Sequence, residues 1–164
     1  MPNAKLLNYL HLHFIVFIWG FTAVLGALIS IDALGLVWFR MSIASLLILA
    51  WVGYKKIPLT FSKKTMLVFL LAGAVIAMHW LAFFGAIKTA NVSITLAIMS
   101  TGSFFTAFLE PIFYKRKIIW YEVVFGLIVV LGLYVIFQVE GDYSWGIVLA
   151  LISSFLGALF SVIN

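Results

Sequence analysis

The chain alternates between long apolar runs and short polar breaks. Between Met78 and Pro111, two apolar runs flank one polar break, residues 88–91. A chain that turns this tightly between two runs of membrane-spanning length is predicted to form a transmembrane helical hairpin. The same arrangement recurs along the sequence and, after a cytoplasmic lead over residues 1–12, predicts six spans at roughly 13–30, 34–52, 66–87, 92–113, 118–137 and 145–163.

The length and continuity of these runs favour helices. Each run has about 20 residues, whereas the strands of a membrane barrel alternate over about 10. Of the 164 residues, 66% are hydrophobic and 9% are charged, against about half and about a quarter in a soluble domain. The sequence therefore predicts an all-α, polytopic transmembrane helix bundle. A cleaved signal peptide is the alternative for the first run, but that run is long for one and no small-x-small cleavage site follows it.

Basic residues lie almost entirely on one side of the predicted spans. With the N-terminus inside, Lys88 alone falls outside, Arg40 falls within the second span, and eight residues fall in the cytoplasm: Lys5, Lys55, Lys56, Lys63, Lys64, Lys115, Arg116 and Lys117. This asymmetry predicts a cytoplasmic N-terminus in a multi-pass protein of the cell (inner) membrane. The same distribution explains the +5 net charge, because the basic side chains lie near the anionic lipid of the cytoplasmic face. We therefore expect the lipid bilayer, and no nucleic acid, as a partner.

The sequence offers no motif for catalysis or for a cofactor. It contains no cysteine, and neither a Walker A sequence, a paired histidine–carboxylate metal spacing nor a nucleophile elbow is found. We therefore expect no enzyme activity, no cofactor and no bound metal. A lipid-modifying enzyme would need a nucleophile or metal cluster within the spans.

A short internal echo links the first and last spans. Residues 25–30 and 156–161 agree at five of six positions. Five spans separate the copies, and an odd number reverses the direction of insertion, so the echo favours an inverted repeat, the usual plan of secondary transporters. We expect a first repeat over residues 1–138 and the start of a second over 139–164. The last span ends without a basic anchor, so we expect a missing C-terminal repeat, or a complementary subunit, to be a partner.

Arg40 and His79 are the ionisable candidates within the spans. Arg40 lies about 9 Å below the predicted outer edge, where it either meets an anionic group such as a substrate carboxylate or anchors the helix by pairing with Asp32 or headgroups. His79 shares a helical face with Ala82 and Ala86. It either lines a central cavity and titrates during transport, or forms a structural hydrogen bond to a neighbouring helix. Trp19, beside a stripe formed by Gly20, Ala23 and Ala27, is a further cavity candidate.

Several short motifs resemble the EamA-like family of the drug/metabolite transporter (DMT) superfamily. They are Trp19-Gly20, Trp38-Phe39-Arg40, the turn over residues 84–93, and Gly126 with Gly132. The resemblance implies ten helices in two inverted five-helix repeats, so that this chain holds the first repeat and the first helix of the second. Where the family often has a proline in its fourth helix, this chain has Ser100-Thr101-Gly102-Ser103. Where the family often has Gly-Glu-Arg after that helix, this chain has Tyr114-Lys115-Arg116-Lys117.

The resemblance also extends to candidate residues of the fourth span. Ser100 and Thr101 belong to a stripe of small residues, which favours close helix packing. The family resemblance implies that their hydroxyls also line the transport pathway.

At the cytoplasmic end, Glu110 and Glu122 flank Lys115-Arg116-Lys117, a pattern that predicts an interfacial salt-bridge network.

These observations together favour a secondary transporter of small organic metabolites or drugs, an exporter or permease working by alternating access. Its expected partner is a small-molecule substrate, with Trp19, Arg40, His79, Ser100 and Thr101 as candidate binding residues. The alternatives are a membrane scaffold or assembly subunit that transports nothing, and the lipid-modifying enzyme.

Overall fold

The structure, a computed structural model, describes residues 4–139 and 141–164. Helices account for 86% of the residues, and the described residues contain no strand, which confirms the all-α prediction. The helices are α1 (Ala4–Leu28), α2 (Ala33–Tyr54), α3 (Lys63–Thr89), α4 (Val92–Met99), α5 (Gly102–Tyr114), α6 (Trp120–Val139) and α7 (Ser144–Ile163), with a 3₁₀ turn at Gly141–Tyr143. Glu140, between the predicted spans 118–137 and 145–163, lies outside the described residues.

Five spans are long and apolar enough to cross a membrane when α4 and α5 are taken as one span, Val92–Tyr114. Within α6 the described apolar stretch is shorter, Trp120–Val135. The chain is therefore a polytopic helix bundle. The cytoplasmic position of the N-terminus stays a prediction from the lysine distribution.

Short polar side chains set where three of the helices begin. Asp32 accepts a hydrogen bond from the Gly35 amide at 2.9 Å, Ser62 from Thr65 at 3.1 Å, and Asn91 from Ile94 at 2.8 Å. Each satisfies an amide that has no partner within the first helical turn. The polar breaks of the sequence thus start helices as well as separate them.

The first helix begins nine residues earlier than predicted. Residues 1–12 were expected to form a lead before a span starting at 13, but α1 begins at Ala4. The lead contains no glycine, and after Pro2 no proline, so nothing in it interrupts a helix. The helix therefore continues back through the lead, and the candidate membrane span extends over Lys5–Leu28.

The predicted fourth span is divided at Ser100-Thr101. The amide of Ser100 bonds the Ala97 carbonyl at 3.3 Å and that of Thr101 bonds the Ile98 carbonyl at 3.0 Å, a 3₁₀ pattern between α4 and α5. The Ser100 hydroxyl also donates to the Ala97 carbonyl, and the Thr101 hydroxyl donates to the Ile98 carbonyl. Such local side-chain bonds compete with the regular helical ladder and bend helices. The prediction of one continuous helix over 92–113 was therefore wrong in this detail.

Helix α7 lies at the centre of the bundle, although it comes last in the chain. It packs along α3 and also contacts α4 and α5. Gly146 lies against Ala90, and Gly157 against His79, so the two helices run antiparallel. Ala150 and Ser153 of α7 are completely buried, whereas most side chains of α1 and α2 are exposed and suited to lipid.

We expect a small coupling energy between Thr101, which lies just before α5, and Ser154 of α7. The Thr101 and Ser154 hydroxyl oxygens lie 2.9 Å apart, within hydrogen-bond distance, and both residues are buried. Hydrogen bonds between membrane helices contribute about 0.6 kcal/mol on average and rarely exceed about 1.7 kcal/mol. A double-mutant cycle of Thr101→Val and Ser154→Ala, measured by unfolding in mixed micelles, should give a coupling energy in this range. A coupling energy of zero would mean that the two hydroxyls act independently.

Candidate functional site

A cavity of about 550 Å³ lies where α1 to α4 and α7 meet. Three of the residues predicted from the sequence line it, Trp19 from α1, Arg40 from α2 and His79 from α3. Thr22, Trp80 and Ser161 also line it, and the rest of the lining is apolar. Five helices, α1 to α4 and α7, therefore converge on one space, which we call the central cavity.

His79 is fixed in the wall by its neighbour on α7. Its Nδ1 donates to the Ser153 carbonyl at 2.8 Å, and the Ser153 hydroxyl donates to the His79 carbonyl at 3.1 Å. His79 is 8% exposed and Ser153 is fully buried. A Cβ added at Gly157 would lie 3.1 Å from the imidazole, so the glycine makes room for the ring. The structure thus contains the hydrogen bond of the structural hypothesis and also places the ring at the cavity.

Arg40 lies on the aromatic face of α3. Its guanidinium carbon is 3.9 Å from the centroid of Trp80 and 5.8 Å from that of Phe84. The predicted pairing with Asp32 is wrong, because Asp32 caps α2 and the ion pairs among the described residues are both made by Arg116. The electron-rich ring faces stabilise the cation in place of a carboxylate.

Trp19 lines the central cavity from α1, whose side chains are mostly exposed. Its side chain is 69% exposed, and only part of the predicted small-residue stripe faces the bundle. Ala23 is buried while Gly20 and Ala27 are exposed, and Gly26 packs on Phe84 instead. The face of α1 that packs on the bundle therefore contains Gly26, one position before Ala27 of the predicted stripe.

Ser100 and Thr101 lie away from the central cavity. The hydroxyl of Ser100 donates to the Ala97 carbonyl at 2.6 Å, and that of Thr101 bonds Ile98 and Ser154. Met99, the residue before them, reaches the cavity wall. The two hydroxyls shape the bend between α4 and α5 and join it to α7.

A second, smaller cavity adjoins the first between α1, α2 and α3. Its volume is about 240 Å³, and Gly26, Ile29 and Phe84 line it. Arg40 and Thr22 line both cavities. Since Ile29 follows the C-terminal end of α1, this smaller space lies toward the predicted outer side, and we call it the outer pocket.

Thr22, Trp80 and Ser161 line the cavity but were not among the residues that the sequence predicted. Trp80 also contacts Arg40. The helical spacing of Trp80, Phe83 and Phe84 was the available signal for an aromatic face. Ser161 is the last residue of the internal echo, and its side of α7 could be placed only after α7 was docked.

The two glycines of the echo occupy similar surroundings. A Cβ at Gly26 of α1 would lie 2.4 Å from the ring of Phe84, and a Cβ at Gly157 of α7 would lie 3.1 Å from the ring of His79. Both glycines thus allow a helix to approach an aromatic side chain of α3. The repeated sequence therefore has the same packing role on two sides of one helix.

A salt-bridge network ties α5 to α6, as the sequence predicts. Arg116 bonds Glu110 at 2.8 Å and Glu122 at 2.9 Å. The hydrogen bond to Glu122 is the main cause that raises the pKa of Arg116 above its ordinary value; desolvation acts against it, and the hydrogen bond to Glu110 and the charges of both carboxylates raise the pKa further. A cavity of about 400 Å³ lies beside this network. The network holds together the ends of α5 and α6 that the lysine pattern predicts to be cytoplasmic.

Comparison with known proteins identifies a family for this chain. A sequence model of the EamA-like transporter family matches residues 7–138, which is most of the chain and covers nearly all of α1, all of α2 to α5 and nearly all of α6. No curated protein and no solved structure matches the chain. By this match the chain belongs to the EamA-like transporter family, part of the DMT superfamily, whose members are membrane transporters.

Proposed function

We propose that the protein is a secondary transporter of small organic solutes and that the central cavity is its substrate site. The observation that carries this proposal is the convergence of Trp19, Arg40 and His79 on one cavity of about 550 Å³. Ligand sites have volumes of about 300–1,000 Å³ and combine an apolar wall with a few polar groups. An intramembrane cation such as Arg40 is costly and usually faces a site of function.

The proposal includes transport by alternating access between inverted repeats. The echo between α1 and α7, with both glycines packed on α3, supports α7 as the first helix of a second repeat. Further helices of that repeat, or a complementary subunit, would supply the opposite wall of the pathway. The proposed location is the cell membrane, with the lysine-rich ends in the cytoplasm.

Cysteine accessibility tests this mechanism, because the chain has no cysteine of its own. We expect Ser161→Cys, at the cavity wall, to react with a membrane-impermeant thiosulfonate added to either face of oriented vesicles. Alternating access exposes one site to both aqueous sides in turn, whereas a fixed cavity opens to one side. Reactivity should be at least about tenfold above that of the control Val24→Cys, whose side chain is exposed on α1 and absent from the cavity wall.

Two outcomes would contradict the proposal. Labelling of Ser161→Cys from one face alone would exclude alternating access at this cavity. Labelling from neither face, together with no movement of amino acids, metabolites or drugs into proteoliposomes under imposed gradients, would favour the scaffold hypothesis.

A further inference from the structure

Resting on the proposed function, we propose that the central cavity selects small organic carboxylates with an apolar body, and that Arg40 binds the carboxylate. Each part of this inference comes from a separate feature of the cavity: its charge, the position of the guanidinium, the character of the remaining wall, and the connection to the outer pocket.

The charge of the cavity wall is positive. Arg40 is the one formally charged residue that lines it, and no aspartate or glutamate does. Arg40 also makes no ion pair with the described residues. A cation away from bulk water is stabilised most by an anion that also accepts its hydrogen bonds. The wall therefore favours an anionic solute and disfavours an amine.

The position of the guanidinium leaves its donors available. The contact with Trp80 places the guanidinium carbon 3.9 Å from the ring centroid, and the guanidinium makes no ion pair with the described residues. The N–H groups of arginine lie in the guanidinium plane and form a fork that matches the two oxygens of a carboxylate. Trp80 thus orients Arg40 without occupying the group that would bind substrate.

The remaining wall suits an apolar body. Trp19, Ile76, Phe83 and Phe160 contribute hydrophobic surface, and the Nδ1 of His79 is already bonded to Ser153. A solute that carried a second charge would find no oppositely charged side chain in the wall. The cavity is therefore matched to one carboxylate attached to an aromatic or aliphatic group.

Arg40 also connects the cavity to the outer pocket. It lines both spaces, as does Thr22. One guanidinium can therefore hold a carboxylate as the solute passes between the outer pocket and the central cavity. We infer that the route to the predicted outer side runs between α1 and α2, past Arg40.

A matched set of three probes tests the inference: 3-phenylpropionate, its amide 3-phenylpropionamide, and the amine 3-phenylpropylamine. Binding of each radiolabelled probe is measured by equilibrium dialysis against the full chain in lipid nanodiscs. We expect the acid to bind at least about tenfold more tightly than the amide, since a hydrogen bond to a charged group contributes about 1.5–3 kcal/mol. The amine should bind more weakly than both.

Variants of Arg40 separate the effect of its positive charge from the effect of the paired N–H groups of the guanidinium. Arg40→Gln should weaken binding of the acid by about 10- to 100-fold and leave the amide unchanged. Arg40→Lys keeps the charge without the fork, so its affinity for the acid should be intermediate, and it replaces the Gln variant if that protein fails to fold. Lys64→Gln, which removes a cation outside the cavity, should bind the acid as the native chain does.

Three results would overturn the inference: equal affinity for acid and amide, preferred binding of the amine, or binding of none of the probes. Its failure is distinguishable from failure of the proposed function. If Ser161→Cys is labelled from both faces but the acid does not bind through Arg40, the transporter proposal stands and the carboxylate selectivity fails. If the acid binds through Arg40 but labelling comes from one face, the binding site stands and alternating access fails.

Discussion

Replacing Gly146 with alanine should destabilise the bundle by about 1–3 kcal/mol, and replacement with valine by more. The added Cβ would lie 2.6 Å from the Cβ of Ala90 and 3.0 Å from the Ala90 backbone nitrogen. A backbone atom cannot rotate aside as the end of a flexible side chain can. The contact lies at the end of α3 and the start of α7, so relieving it requires these two helices to separate.

The matched control for this substitution is Gly132→Ala in α6. A Cβ at Gly132 meets nothing within 4 Å, and alanine is favoured over glycine in a helix by about 0.5–1 kcal/mol. The two substitutions should therefore change stability in opposite directions. Unfolding in mixed micelles, followed by tryptophan fluorescence, measures both. Equal stabilisation of the two variants would mean that α3 and α7 are not in close contact at Gly146.

Replacing His79 with alanine should lower stability by about 2–4 kcal/mol. The substitution empties space beside the central cavity and removes the bond from Nδ1 to the Ser153 carbonyl, 2.8 Å long. Large-to-small changes at buried sites have costs of this size. His79→Asn retains an N–H donor and should recover part of the loss. His13→Ala, an exposed position of α1, should stay within about 0.5 kcal/mol of the native chain.

The same variants distinguish the two hypotheses for His79. If its role is structural, transport by folded His79→Asn should keep the pH dependence of the native chain. If the imidazole titrates during transport, that pH dependence should disappear in His79→Asn between about pH 5 and 8, where histidine changes charge. Proteoliposome uptake measured across this range, per mole of folded protein, decides between them.

The sequence did not predict which side chains and carbonyls the candidate residues would contact. One of the alternatives for Arg40 paired it with Asp32, a near neighbour in sequence, but its partner is Trp80 on α3. For Ser100 and Thr101 the sequence favoured helix packing, and their hydroxyls bond α4 carbonyls and, for Thr101, Ser154 on α7. The contacts of Arg40 with Trp80 and of Thr101 with Ser154 join segments that are distant in sequence, and the composition of a helix does not specify which of its faces another helix will cover.

The sequence by itself determined the membrane-spanning helices, because an apolar run of about 20 residues can satisfy its backbone hydrogen bonds in lipid only as a helix. It also indicated the family, and it singled out Trp19, Arg40 and His79 because polar or bulky groups within such runs are unusual. Only the tertiary structure decided that these three residues line one cavity and that α7 is the central helix. Those outcomes depend on shape: Gly146 and Gly157 let α7 approach α3 closely, and close packing between helices is a property of paired surfaces that a hydrophobicity pattern does not contain.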